Sequence, residues 1–229
     1  MKKVISVLLL GLATMFILPA QATPVPSYTI YLNTVYTGYT PDGSSPWLTA
    51  TYTPTSSTTG TLDLTSNLTQ GDFVQGSNGV TGWAFYLDGT VTGVSCDSGT
   101  CPKNTYTTSS DINSGPVPGS YNLGFSWFGS QGWNIFAAGD TASFTLTFDS
   151  AISGNPFALN SASFYSYSHV QGISGNPTCS GYIVAGPGQT STQLGSCSAT
   201  NVPEPAALGM FGFGALLIGV FVSLRRRLN

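Results

Sequence analysis

Thr141-Ala142-Ser143-Phe144-Thr145-Leu146-Thr147-Phe148-Asp149 is the stretch that sets the fold class of this chain. Ala142, Phe144, Leu146 and Phe148 alternate with Thr141, Ser143, Thr145, Thr147 and Asp149, a two-residue period held over nine positions. Successive side chains on a strand point to opposite faces, so one side of this segment is built for burial and the other for water.

The same period recurs on either side. Leu62 and Leu64 alternate with Thr61, Asp63 and Thr65, and Trp83, Phe85 and Leu87 alternate with Ala84, Tyr86 and Asp88. Asp88-Gly89 separates residues 83–87 from 90–94, and both turn residues tolerate positive φ, so the spacing predicts a two-residue hairpin. Further strands are expected near residues 28–36, 47–53, 121–128, 158–167 and 182–185. Many short strands without helical crossovers predict an all-β body, an antiparallel β-sandwich or jelly roll.

Composition agrees with a folded chain: of 229 residues, 41% are hydrophobic, 12% aromatic and only 7% charged, the opposite of a disordered profile. Five of the six basic residues stand at the ends, as Lys2, Lys3, Arg225, Arg226 and Arg227. Between them, Lys103 faces eight aspartates (Asp42, Asp63, Asp72, Asp88, Asp97, Asp111, Asp140 and Asp149), so the body carries a formal −7. Binding to a phosphate backbone needs a basic footprint, and this body has none, which excludes nucleic acid as a partner.

Both ends read as addresses. In residues 1–22, Lys2 and Lys3 precede an apolar run, and Ala20-Gln21-Ala22 forms a small-residue cleavage site, the pattern of a secretory signal peptide. Signal peptidase would then leave Thr23 as the mature start. At the other end, residues 206–224 carry no charge and would extend about 28 Å as a helix, enough for a single transmembrane helix. Arg225, Arg226 and Arg227 follow at once and would hold the tip in the cytoplasm with the body outside. The chain thus divides into a signal peptide (1–22), an ectodomain (23–201) and a tail (202–229) that tethers it to the membrane.

Val202-Pro203-Glu204-Pro205 stands immediately before the apolar stretch. Pro-Glu-Pro, a glycine-rich apolar helix and a terminal Arg cluster, in that order, resemble the PEP-CTERM sorting signal of Gram-negative exopolysaccharide-producing bacteria. The resemblance covers about the last 28 residues. It implies handling by exosortase, a membrane-embedded cysteine transpeptidase-like enzyme, with the tail removed near Pro203, Glu204 and Pro205 after transient anchoring. Delivery to the cell surface or the extracellular space would follow. Two prolines keep the tripeptide extended and open to an enzyme at the membrane surface. The Leu-Pro-x-Thr-Gly motif of a Gram-positive sortase signal is absent.

Four cysteines suit an oxidising, exported compartment. Of three connectivities, the sequence-local one, Cys96–Cys101 with Cys179–Cys197, is the first choice, and the two loops would contribute roughly 2 and 3 kcal/mol. A zinc site made from all four is the rival, but it needs two close pairs and the second pair is widely spaced.

Candidate chemistry is sparse. His169 is the single histidine, no Gly-x-Ser-x-Gly elbow accompanies it, and a structural role is expected. A glycosidase needs two carboxyls facing across a sugar. Here Asp42-Gly43, Asp88-Gly89, Asp97-Ser98-Gly99 and Asp111-Ile112-Asn113 read as turns instead. Asp111-x-Asn113-x-Gly115 opens like a calcium loop but lacks the closing acid, so Ca2+ is weighed and no cofactor is expected. Trp127-Phe128-Gly129-Ser130-Gln131-Gly132-Trp133 offers two rings that, if exposed, would stack on sugars while Gln131 and Asn134 supply hydrogen bonds. Burial of Trp127 and Trp133 in the core is the favoured alternative.

These readings predict a non-enzymatic exported protein with a structural or adhesive role in exopolysaccharide, biofilm or floc, the polysaccharide being implied by the resemblance. One rival is a carbohydrate-binding module using Trp127 or Trp133. The other is a secreted hydrolase, which requires two carboxyls, or His169 and a serine, in one cleft.

Overall fold

The alternation at residues 141–149 becomes β9 (Thr141–Phe148), in which Ala142, Phe144, Leu146 and Phe148 are buried and the residues between them are not. The structure is a computed structural model describing residues 26–69, 79–107, 112, 115–127, 135–176, 178–188, 190 and 192–198. Before β9 come β1 (Tyr28–Leu32), β2 (Thr34–Thr40), β3 (Leu48–Pro54), β4 (Thr59–Ser66), β5 (Gly79–Phe85), β6 (Val91–Gly99), β7 (Asn104–Tyr106) and β8 (Leu123–Ser126). After it come β10 (Ser166–Gln171), β11 (Ser180–Ala185) and β12 (Thr192–Ser196).

The strands form a five-stranded sheet, β1-β3-β4-β9-β6, and a seven-stranded sheet, β12-β2-β11-β10-β5-β8-β7. All pairs are antiparallel except β12 with β2. The inward faces close over one core. Leu62, Leu64, Phe144 and Leu146 from the smaller sheet lie in the same buried cluster as Trp83, Phe85, Phe125 and Ile183 from the larger. The fold is a β-sandwich. A second, smaller cluster of Ala84, Val117, Tyr121, Phe164, Tyr167 and Val184 covers part of the larger sheet's other face, so β5 is buried on both sides.

Three local expectations are corrected. The hairpin at Asp88-Gly89 does not form: β5 is already paired on both edges by β10 and β8, while β6 pairs with β9 in the other sheet. Gly89 does take a positive φ of 110°, but the turn carries the chain from one sheet to the other. Asn122 pins this crossing: its side-chain carbonyl accepts from Leu87 N–H and its amide donates to Leu87 O, each at 2.8 Å. The strand expected at 28–36 is broken at Asn33, where the inward positions change from Ile30 and Leu32 to Val35 and the chain changes sheets. The strand expected at 158–167 is mostly a turn. Asn160 Oδ1 accepts from Ala162 N–H and Phe164 N–H, competing with any ladder, and pairing begins only at Ser166.

Both sequence-local disulfides are present, Cys96–Cys101 and Cys179–Cys197, with Cα–Cα distances of 5.9 and 6.3 Å. Each involves an edge strand. The first staples the connection from β6, the edge of one sheet, to β7, the edge of the other; the second ties the end of edge strand β12 to the residue preceding β11. Among the described residues the only helical piece is a 3-10 turn, Ile173–Gly175, and no helix is long and apolar enough to cross a membrane. The signal peptide at 1–22, with Ala20, Ala22 and Thr23, and the span at 206–224 lie outside the described residues.

Candidate functional site

His169 stands on β10 opposite Gly82 of β5 and Tyr182 of β11. Its ring stacks on Tyr182, with centroids 4.4 Å apart and planes 14° from parallel, and its Nδ1 lies 3.0 Å from Thr81 Oγ1. Burial holds its pKa below the ordinary value, because the charged imidazolium would lose hydration. Its side-chain hydrogen bond is therefore to a threonine, on a stacked and neutral ring.

Five described carboxylates, those of Asp42, Asp63, Asp97, Asp140 and Asp149, accept from hydroxyls or amides. Asp63 accepts from Ser143 Oγ at 2.6 Å, and Asp97 accepts from Thr145 Oγ1 at 2.7 Å and Ser95 Oγ at 2.9 Å. Asp140 accepts from Ala137 N–H, and Asp42 accepts from both the hydroxyl and the N–H of Ser174. Among the described residues no group of three His, Cys, Asp or Glu is placed to hold a metal ion. Asp111 and Asn113, the opening of the calcium-like loop, lie outside the described residues.

Trp127 is not a surface platform. It is fully buried, its ring centroid is 5.0 Å from Phe136, and its Nε1 donates to Thr100 O at 2.8 Å. It continues the inward set Leu123, Phe125, Trp127, and the backbone acceptor satisfies its one polar atom. Trp127 takes the core position favoured from the sequence, and the glycan contact weighed as its alternative is not available to a buried ring. Gln131, Trp133 and Asn134 lie outside the described residues.

The register brings a different set together on the outward face of the larger sheet. Tyr106, Gly124, Ala84 and Tyr167 form one row across β7, β8, β5 and β10. Asn104, Ser126, Gly82 and His169 form the adjacent row. Four small residues thus lie side by side between taller neighbours, leaving a depression of about 190 Å³. Tyr106 and Tyr167 wall it and Ile112 closes one end. Tyr167 is itself buried, its ring 4.7 Å edge-on from Tyr121, and burial pushes both phenols well above their ordinary range. Tyr106 is the half-exposed ring.

Sequence reasoning missed this depression, although a signal was there. Gly82-Trp83-Ala84-Phe85 and Gly124-Phe125-Ser126-Trp127 alternate small with large aromatic residues. Each pattern describes a strand with one crowded face and one bare face; only the pairing shows that the bare faces adjoin.

Residues 201–227 match the PEP-CTERM protein-sorting motif. The match contains Pro203, Glu204 and Pro205 and extends through Arg225, Arg226 and Arg227. No curated protein and no solved structure matches the chain. The chain carries a PEP-CTERM sorting signal, the mark of an exported protein that exosortase sorts to the cell surface by its C-terminus.

Proposed function

We propose that this is a non-enzymatic surface or matrix protein, anchored briefly by the helix at 206–224, cleaved by exosortase near Pro203, and then held in the extracellular matrix through contact with exopolysaccharide. The observation that carries the proposal is the sorting motif at residues 201–227 joined to a disulfide-stapled sandwich. A C-terminal address and a covalently braced body suit a protein that works outside the cell. Support for a binding rather than a catalytic role comes from the titratable side chains. His169 is engaged by Thr81 and Tyr182, and the bonded aspartates serve hydroxyls and amides in strands and turns.

Mass spectrometry of the protein from its source cells, with and without exosortase, combined with sedimentation against the cells' own exopolysaccharide, tests this. The expected result is a C-terminus near Pro203 only when exosortase is present, oxidised cysteines, and co-sedimentation of the mature form. Full-length protein with reduced cysteines in the cytosol, or a mature form that stays in the supernatant, would overturn it.

A further inference from the structure

We infer that the depression between Tyr106 and Tyr167 is a subsite for a single neutral pyranose ring of a polysaccharide chain, an inference that rests on the matrix-binding function proposed above.

The floor decides what shape is admitted. Gly82, Ala84, Gly124 and Ser126 occupy adjoining outward positions on β5 and β8, while their neighbours Trp83, Phe85 and Phe125 point into the core. Ala84 and Gly124 are buried, so a flat object would rest over the main chain at Gly82 and Ser126, which stay partly exposed. The opening lies over Gly82, where an added Cβ would meet, among the described residues, only Phe125 O, at 3.8 Å. At Gly124 an added Cβ would stand 3.0 Å from Ile112 Cγ1, so that end is shut.

Size and charge narrow the ligand. Pockets for drug-sized molecules measure roughly 300–1,000 Å³, whereas one of about 190 Å³ takes one saturated ring with its neighbours in the chain left outside. Among the described residues the lining has no charged side chain, and a carboxylate or phosphate brought onto it would lose hydration without a counter-charge. The half-exposed Tyr106 can present a ring face to the weakly positive C–H groups of a sugar. On the open side Ser126 lines the depression beside Gly82 and carries a hydroxyl near where those of a ring lying over Gly82 would fall.

The test uses the exported protein and two variants, Gly82→Val and Tyr106→Ala. Gly82→Val fills the trough from an extended backbone with space above it, and an unchanged melting temperature shows that each variant folds. The probes are cellohexaose, laminarihexaose, mannohexaose and isomaltohexaose, with hexagalacturonate as the acidic counterpart, indole as the apolar one, and exopolysaccharide purified from the source cells. Binding of the purified polysaccharide and at least one neutral hexasaccharide, weakened tenfold or more by both variants while Tyr106→Phe retains it, is the expected result. Polysaccharide binding that Gly82→Val leaves intact would overturn the subsite and leave the matrix function standing. A preference for hexagalacturonate or indole would likewise overturn the subsite, and failure of the native protein to bind any probe would overturn both.

Discussion

The indole N–H of Trp83 donates to Ser166 Oγ at 2.8 Å, and that hydroxyl donates onward to Ala84 O at 2.7 Å, both side chains being essentially inaccessible to water. Ser166 is thus the connector that lets a tryptophan sit between the sheets with its polar atom satisfied. Ser166→Ala should cost about 1–3 kcal/mol, the penalty for leaving a buried donor unmade. Urea denaturation followed by tryptophan fluorescence measures it. In a Trp83→Phe background the same substitution should cost much less, and equal costs would show that the pair is not coupled.

The disulfides should contribute unequally. Replacing Cys179 and Cys197 with serine should lower stability by about 3 kcal/mol, and replacing Cys96 and Cys101 by about 2 kcal/mol, following the larger loop closed by the first pair. Denaturation of each double variant, with peptide mapping of the native protein to verify the pairing, checks both values. A larger loss from the shorter loop would contradict the loop-entropy account.

His169 should make folding sensitive to mild acid. Above its ordinary pKa of 6.5 the ring is neutral both folded and unfolded, so it adds no slope. Below that value the unfolded chain takes up a proton that the buried ring resists, and the folded state loses stability until it too is protonated. Stability should therefore fall as the pH drops through and below 6.5, and His169→Gln should make the fall shallower. Identical slopes for the two proteins would contradict this.

Asp42 should act as a latch on the turn after β10. Ser174 adopts a positive φ of 54°, unusual for a residue other than glycine, and its N–H and hydroxyl both donate to the Asp42 carboxylate. Asp42→Ala should cost about 1–3 kcal/mol by stranding those donors, while Asp42→Asn, which keeps one acceptor, should cost less. Thermal melts of the two variants give the order, and the reverse order would refute the latch.

The sequence carried some of this architecture openly and concealed the rest. Strands whose one face is wet, such as Thr141–Phe148, announce themselves by alternation, because water selects every second residue. β5 gave the direction of Trp83 and Phe85 but not its partners, since pairing depends on which edges other strands have already taken. Hence Asp88-Gly89 was legible as a turn and illegible as a crossing. Trp127 shows the same limit for the site: the residue type favours a core but also fits a sugar platform, and only the inward phase shared with Leu123 and Phe125 decides. The depression beside Tyr106 depends on two strands being neighbours in one register, information that no single segment holds.

The staple between Cys179 and Cys197 has a mechanical consequence. β12 is a short edge strand held by parallel pairing to β2, and beyond it the chain runs on towards the sorting motif. Tension applied to the chain past Ser198 meets the covalent link at Cys197 before it reaches the β12 ladder. The link passes the load to Cys179 and so to β11, which has strands on both sides. While the bond is intact, hauling on the tail drags the whole body as one piece; once it is reduced, the same force can unzip β12 one pair at a time.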